Sequence, residues 1–249
     1  MERLRLGMVG GGQGAFIGGV HRIAARLDGQ WDLVAGALSS DAARAHASAA
    51  ELGIAADRSY STFEEMAKTE AARDDGIDAV AIVTPNHMHA GPAVAFLKAG
   101  IHVFCDKPLA ATMEQAQEIA LAAETSGALF FLTHNYTAYP LIRQARQMVA
   151  EGALGDIRVV QVEYAQDWLT DPADNKQADW RTDPARSGAG GCVGDTGTHA
   201  YNLACFVTGL KTDSLAADLQ AFVEGRQVDD NVHVMLRFAG GARGMLWAS

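Results

Sequence analysis

Leu4-Arg5-Leu6-Gly7-Met8-Val9-Gly10-Gly11-Gly12-Gln13-Gly14-Ala15-Phe16-Ile17-Gly18-Gly19 decides the fold class of this chain. Its first six residues form a strand-like run that ends on a glycine cluster, after which Val20, Ile23, Ala24 and Leu27 recur at helical spacing. Strand, glycine turn and helix in immediate succession open a nucleotide-binding βα unit. Gly10, Gly12 and Ala15 take the three small positions of a dinucleotide fingerprint, where the missing side chains let backbone approach a pyrophosphate. Gln13, Gly14, Phe16 and Ile17 complete the loop and the first helical turn, whose free amides and positive dipole end suit an anion.

Further apolar runs bounded by turn residues lie at 33–38, 79–83, 102–105 and 129–132, with helix-like stretches between them. Residues 41–52 are alanine-rich behind a serine and aspartate cap, and Thr112 caps a predicted helix over 113–125. This alternation predicts an α/β fold: a parallel, doubly wound Rossmann domain over residues 1–136. The pattern changes after Asn135, where a helix over 139–151 leads through Gly152 and Gly155 into a long alternating strand over 157–164. Residues 165–197, rich in Asp, Pro, Gly and Trp, are too long for a plain connector and predict a functional loop. With strand-like runs at 232–238 and 243–247, residues 137–249 form a second, α+β domain with a largely antiparallel sheet. The chain stops inside the last run, so the expectation is a truncated domain whose cut sheet leaves unpaired backbone and exposed apolar surface.

A chain of 249 residues with 49% hydrophobic and 20% charged content supports one or two packed domains. A net charge of −10 opposes nucleic acid and anionic membranes as partners. The N-terminus lacks the apolar core of a secretory signal, and no apolar stretch approaches membrane-spanning length. Cys105, Cys192 and Cys205, odd in number and far apart, suit a reducing compartment, and the expected location is cytoplasmic. The scattered His, Asp and Cys residues have no metal-ligand spacing, and no metal is expected.

At the end of the second strand, Ala37-Leu38-Ser39-Ser40-Asp41 lacks the acid that would bind the ribose hydroxyls of NAD. Ser39 and Ser40 can donate to a phosphate and Arg44, one turn into the next helix, can pair with it, so the NAD(P) cofactor leans toward NADP. The alternatives stay open that the serines only cap the helix, and that Asp41 folds back as a ribose acceptor. Within Ile101-His102-Val103-Phe104-Cys105-Asp106-Lys107-Pro108-Leu109, Lys107 stands at the end of an apolar strand, where open parallel sheets bind ligands.

Four motifs occur in order: the glycine loop; Thr84-Pro85-Asn86-His87-Met88-His89; Asp106-Lys107-Pro108; and Gly190-Gly191-Cys192-Val193-Gly194-Asp195-Thr196-Gly197-Thr198-His199. Together, through essentially the whole chain, they resemble the Gfo/Idh/MocA oxidoreductases. Gln166-Asp167-Trp168 and Trp180-Arg181 are similar to members acting on sugars or anhydrosugars, of the levoglucosan dehydrogenase kind. That family usually has Glu before its Lys-Pro; Asp106 keeps the charge and shortens its reach. The resemblance implies that Thr84, Pro85 and Asn86 lie near the nicotinamide, that Lys107 contacts both cofactor and substrate, and that Asp195 and His199 meet them from the second domain. It also implies a homo-oligomeric full-length form, joined through the open face of the second sheet. Asp106, His89 at the cofactor's edge and Asn135 complete the expected cofactor set. Tyr136, Trp168, Trp180 and Arg181 are candidates for holding a sugar, whereas His21 and His87 read as packing or solvent-facing groups.

The implied activity is hydride transfer between a nicotinamide and a secondary alcohol or ketone of a sugar, anhydrosugar or cyclic polyol. The hydroxyl proton must leave as hydride passes, and an imidazole titrating near neutrality suits that exchange. If Asp195 to His199 begins a helix, their spacing places both on one face. Lys107 would then stabilise negative charge developing on the reacting oxygen. Two other readings stay open: a glycosidase that uses retained NAD for transient oxidation, and a noncatalytic NADP-binding sensor.

Overall fold

The structure, a computed structural model, describes residues 3–249 and divides the chain into two compact units, the first ending at Thr133 and the second running from His134 to Ser249. The first contains strands β1 (Leu4–Gly10), β2 (Trp31–Ala37), β3 (Ala79–Val83), β4 (His102–Asp106) and β5 (Phe130–Thr133), all parallel, in the order β2-β1-β3-β4-β5. The strands alternate with helices α1 (Phe16–Leu27), α2 (Ala42–Glu51), α3 (Phe63–Ala71), α4 (Ala90–Lys98) and α5 (Met113–Ser126). All five residues of β3 are buried, as its unbroken Ala-Val-Ala-Ile-Val demands of a strand covered on both faces. One face packs Met8, Leu38, Ala49 and Ile54 with Ile17 of α1, and the other packs Val80, Ile82, Phe96, Leu97 and Ile119. The doubly wound expectation holds, and the strand order reverses between β1 and β3, where Gly10 pairs with Val83.

Helix α1 has the expected period and the opposite phase. Val20, Ile23 and Leu27 are exposed at 43%, 55% and 81%, while Ile17, Gly18 and Ala25 turn inward. The cause is steric: a Cβ on Gly18 would lie 2.5 Å from the Cα of Gly11, so only glycine lets the helix seat against the loop.

A polar post stands within the first unit. Glu70 of α3, 1% exposed, accepts hydrogen bonds from Tyr60 Oη at 2.7 Å, Arg58 Nε at 3.1 Å and the Ile77 amide at 3.2 Å, and is paired as well with the Arg58 terminal nitrogen. It thereby ties α3 to the two segments that flank it.

The second unit holds α6 (Pro140–Ala150), β6 (Val159–Tyr164), α7 (Lys176–Arg181), α8 (Pro184–Ser187), a π turn at Val193–Gly197, α9 (Thr198–Thr208), β7 (Thr212–Gln220), β8 (Asn231–Phe238) and β9 (Arg243–Ala248). The sheet order is β6-β9-β8-β7; β6 and β9 are parallel and the other pairs antiparallel. Alternation puts Val232, Leu236, Phe238, Leu246 and Ala248 on the face that packs with Ala200 of α9. Strand β7 has no apolar alternation, is exposed along nearly its whole length and is held by its pairing with β8. The last strand does not carry the expected unpaired backbone: β9 is interior, paired with β6 on one side and β8 on the other. The 165–197 stretch is built of short helical turns, not irregular loop throughout. No helix among the described residues is long and apolar enough to cross a membrane.

Replacing one partner of a buried, hydrogen-bonded ion pair strands the other charge. Glu70→Ala should lower the unfolding free energy of the first unit by about 3–5 kcal/mol. Urea unfolding measures it, and a loss below about 1 kcal/mol would mean that Arg58 finds solvent instead.

Candidate functional site

In the first unit the parallel register brings the glycine loop and the Thr84 loop side by side at the carboxyl edge of the sheet, beginning from the paired Gly10 and Val83. Gly10, Gly11 and Gly14 have φ of 78°, 75° and 74°, which glycine adopts without steric cost. A Cβ on Gly12 would fall 2.7 Å from the Leu38 carbonyl oxygen, and the Gly12 amide donates to that oxygen at 3.2 Å. Arg22 pins the loop from α1 by donating to the Gly11 carbonyl at 2.8 Å. The Gln13 amide donates to Ser48 Oγ at 3.1 Å, and its side chain to Glu51. Helix α1 begins with neither a side-chain cap nor an acidic residue in its first turn. A glycine cradle in front of such a helix end fits a pyrophosphate. The close helix-to-loop contact is made by Gly18, while Ala15 serves as N-cap; Phe16 is exposed and Ile17 packs into the core.

After β2, Ser39 Oγ accepts from the Asp41 amide at 3.2 Å, and the Asp41 carboxylate accepts from the Arg44 amide at 2.7 Å. Asp41 is therefore the cap of α2, and Ser39 braces the turn before it. Ser40 and the Arg44 side chain lie at the same helix start.

After β3, Thr84 Oγ1 donates to the Met88 carbonyl at 3.0 Å, Pro85 leads into a short 3-10 turn, and Asn86 is buried. His89 corrects an expectation. It is fully buried, with Nδ1 2.9 Å from the Pro108 carbonyl and Nε2 2.9 Å from the Thr84 carbonyl, so it clamps two loops together and offers no surface to a cofactor. Burial pushes this imidazole down, while the two carbonyls, which only accept, pull the other way.

At the end of β4, Asp106 Oδ1 accepts from His21 Nε2 at 2.8 Å and from Thr133 Oγ1 at 2.8 Å. Burial opposes its charge, yet these hydrogen bonds and the nearby imidazoles hold the carboxyl below the usual range. His21, read from the sequence as packing or solvent-facing, is thus a polar partner joining α1 to the strand end. Lys107 follows directly, and its peptide bond to Pro108 is cis.

In the second unit, Asp195 lies in the π turn and His199 in the first turn of α9. The π turn, with its i to i+5 bonding, replaces the α-helical geometry assumed for their four-residue spacing. Asp195 Oδ2 accepts from Arg181 Nε at 3.2 Å, and Arg181 lies over Trp180 at 4.2 Å and faces Trp168 at 5.6 Å. Three of the expected sugar-holding residues, Trp168, Trp180 and Arg181, are therefore already joined to Asp195. The buried His199 ring packs against Tyr136 at 4.8 Å and His134 at 5.6 Å. Asn135 opens the 3-10 turn that carries Tyr136.

Tyr164 joins this cluster although motif reading did not assign it, and Gln166 links it to Trp168. Tyr164 Oη lies 2.6 Å from Tyr136 Oη and accepts from Gln166 Nε2 at 2.9 Å, while Trp168 Nε1 donates to Gln166 Oε1 at 3.1 Å. Burial, then the bond to Tyr164, pushes the Tyr136 phenol up to about 12, so it is protonated at neutral pH. Tyr164 closes an alternating strand on its inward face; that position was its only signal. Among the described residues no cluster of His, Cys, Asp and Glu could hold a metal ion.

The family described as "Oxidoreductase family, NAD-binding Rossmann fold" matches residues 4–134, and the GFO/IDH/MocA C-terminal domain matches residues 142–249. An oxidoreductase from Sinorhizobium meliloti, solved as a crystal structure, is 55% identical with a TM-score of 0.88, over 99% of this chain and 65% of that one. The crystal structure of an inositol dehydrogenase homolog from Azotobacter vinelandii, complexed with NAD+, is 36% identical with a TM-score of 0.95, over 100% of this chain and 65% of that one. Levoglucosan dehydrogenase of Pseudarthrobacter phenanthrenivorans is 32% identical, over 100% of this chain and 68% of its own length. The chain thus spans about two thirds of the length of these relatives. With both domain types matched in order and the glycine cradle, the strand-end Asp106-Lys107 and the π-turn Asp195 in place, the chain belongs to the GFO/IDH/MocA oxidoreductases, whose first domain is an NAD-binding Rossmann fold.

Proposed function

We propose that the protein transfers hydride between a nicotinamide cofactor and a secondary alcohol or ketone of a sugar, anhydrosugar or cyclic polyol. The observation that carries the cofactor half is the uncapped start of α1 behind a glycine loop in which Gly12 and Gly18 lie against backbone where a Cβ would fall. The relatives named for inositol and levoglucosan support the substrate class. Residues 1–136 bind the cofactor and residues 137–249 the substrate. The loop from Gly10 to Ile17 holds the pyrophosphate, and Thr84, Pro85, Asn86, Asp106 and Asn135 line the nicotinamide end. When bound, the nicotinamide supplies the hydride acceptor or donor.

Lys107 hydrogen-bonds the reacting oxygen and stabilises the charge that develops there. His199 exchanges the hydroxyl proton. Asp195, already aligned by Arg181, accepts from a substrate hydroxyl, and Tyr136 donates as a neutral phenol. Trp168 and Trp180 offer ring faces to a sugar. Cofactor choice follows from the end of β2, where no acid stands to bind a ribose hydroxyl and Ser39, Ser40 and Arg44 favour the phosphate of NADP. Three cysteines outside any disulfide suit a cytoplasmic setting, and the exposed Met235 and Met245 on the open sheet face suit a homo-oligomer.

His199→Ala and Lys107→Ala should each lower kcat by roughly 10²–10⁴-fold with polyol or anhydrosugar substrates. Cofactor fluorescence titration should give unchanged NAD(P)H affinity for His199→Ala; turnover near that of the unsubstituted protein would remove both roles.

For cofactor choice, NADPH should bind more tightly than NADH, and Arg44→Ala should weaken NADPH by about 1.5–3 kcal/mol, the range of a charge-assisted hydrogen bond. Calorimetry with both cofactors decides it. Tighter NADH binding, unaffected by Arg44→Ala, would assign the site to NAD.

A further inference from the structure

Asp229 belongs to none of the motifs above, yet its side chain accepts three hydrogen bonds and its carbonyl a fourth. It is 8% exposed and lies 38 residues from Gly191 in the chain. Oδ1 accepts from the Gly191 amide at 2.8 Å; Oδ2 accepts from the Val193 amide at 2.8 Å and the Cys192 thiol at 3.1 Å. Its own carbonyl accepts from the Cys192 amide at 2.9 Å. Donors from three successive residues therefore converge on a single aspartate.

The glycine pair of the motif acquires a reason. A Cβ on Gly191 would lie 2.1 Å from the Asp229 carbonyl oxygen, and one on Gly190 would lie 2.6 Å from Val193 Cγ1. The turn can settle onto Asp229 only without those side chains. It opens the helical segment that runs through the π turn into α9, with the Asp195 amide donating to the Gly191 carbonyl at 3.0 Å. Amides at such a start have no partner inside the helix, and a carboxylate there is favoured by the helix dipole. Asp229 supplies that carboxylate from a segment distant in sequence, the residues leading into β8. Burial, then the bond to Asp229, pushes the Cys192 thiol up, so it stays protonated as a donor.

The neighbouring Asp230 has a separate task. Its carboxylate accepts from the Phe222 and Val223 amides at 2.8 and 2.9 Å and holds the turn between β7 and β8. Adjacent acids thus anchor different segments, which makes Asp230 a matched control.

We propose that Asp229 is a positioning residue: by capping the turn at Gly191–Val193 it fixes the π turn and helix start that present Asp195 and His199. The inference rests on the reading of Asp195 and His199 as substrate-facing groups.

The test compares Asp229→Asn with Asp230→Asn in the full chain. Asp229→Asn should speed hydrogen exchange at the Gly191 and Val193 amides and lower kcat by about ten- to a hundredfold, since small misplacements of reacting groups have effects of that size. The KM for cofactor should stay within about twofold, because the glycine loop is untouched. Asp230→Asn should cost comparable thermal stability and keep kcat. Unchanged kcat in Asp229→Asn, or an equal loss in Asp230→Asn, would overturn the proposal by making the effect one of general stability. If Asp229→Asn does not fold, Cys192→Ala removes one donor only and should lower kcat by about threefold, in line with one modest hydrogen bond; no change would count against the proposal. Absence of turnover in the unsubstituted protein would instead sink the parent reading, and this inference with it, while the exchange data would still report on the cap.

Discussion

The contact between Gly18 and Gly11 governs the first unit. No side chain fits there, so the identity of both residues sets how closely α1 approaches the loop after β1. That approach places the uncapped start of α1 behind the glycine cradle, brings Arg22 to the Gly11 carbonyl and carries His21 to Asp106 at the end of β4. Three elements of the site thus depend on one steric fact. It also explains the exposed stripe of Val20, Ile23 and Leu27, because a helix seated through its glycine face must turn its larger residues elsewhere.

The second unit reaches a comparable result through polar contacts. Tyr136, Tyr164, Gln166 and Trp168 form a continuous hydrogen-bonded series, and the His199 ring rests against Tyr136. Such a series fixes ring orientations that packing alone would leave free to rotate. Arg181 does the same for Asp195, with Trp180 beneath its guanidinium. The carboxylate is thereby held in one direction, and the tryptophans expected to hold a sugar also hold the arginine.

Legibility in the sequence followed the range of the interaction. The parallel sheet was readable because β3 is an unbroken apolar run and the turns beside it carry glycine and proline. The glycine loop, Asp106-Lys107 and the Asp195 segment were readable as local strings. Strand β7 was not, because an edge strand owes its structure to its neighbour and needs no alternation of its own. The phase of α1 was missed since periodicity records which residues share a face, not which face meets the sheet. His89 was misplaced because its carbonyl partners sit in a turn before it and in a separate loop, and Asp229 and Tyr164 were invisible for the same reason: their partners are distant in sequence.

Acidic residues outnumber basic ones by ten in this chain, so carboxylates as such carry little information. What distinguishes Glu70, Asp106 and Asp229 is that each is largely buried and surrounded by donors from outside its own element: Arg58, Tyr60 and Ile77 for the first, His21 and Thr133 for the second, the successive Gly191, Cys192 and Val193 for the third. A buried carboxylate is costly alone and favourable when fully bonded, so each one makes its surroundings all-or-none. Two of the three stand immediately beneath residues assigned to the chemistry, Asp106 beside Lys107 and Asp229 beneath the segment of Asp195 and His199. The family's usual Glu at position 106 would carry its oxygens one methylene further out. With Asp, the carboxylate stays within reach of His21 and Thr133, and its main effect is to hold the end of β4, and with it the backbone that leads into Lys107, in place.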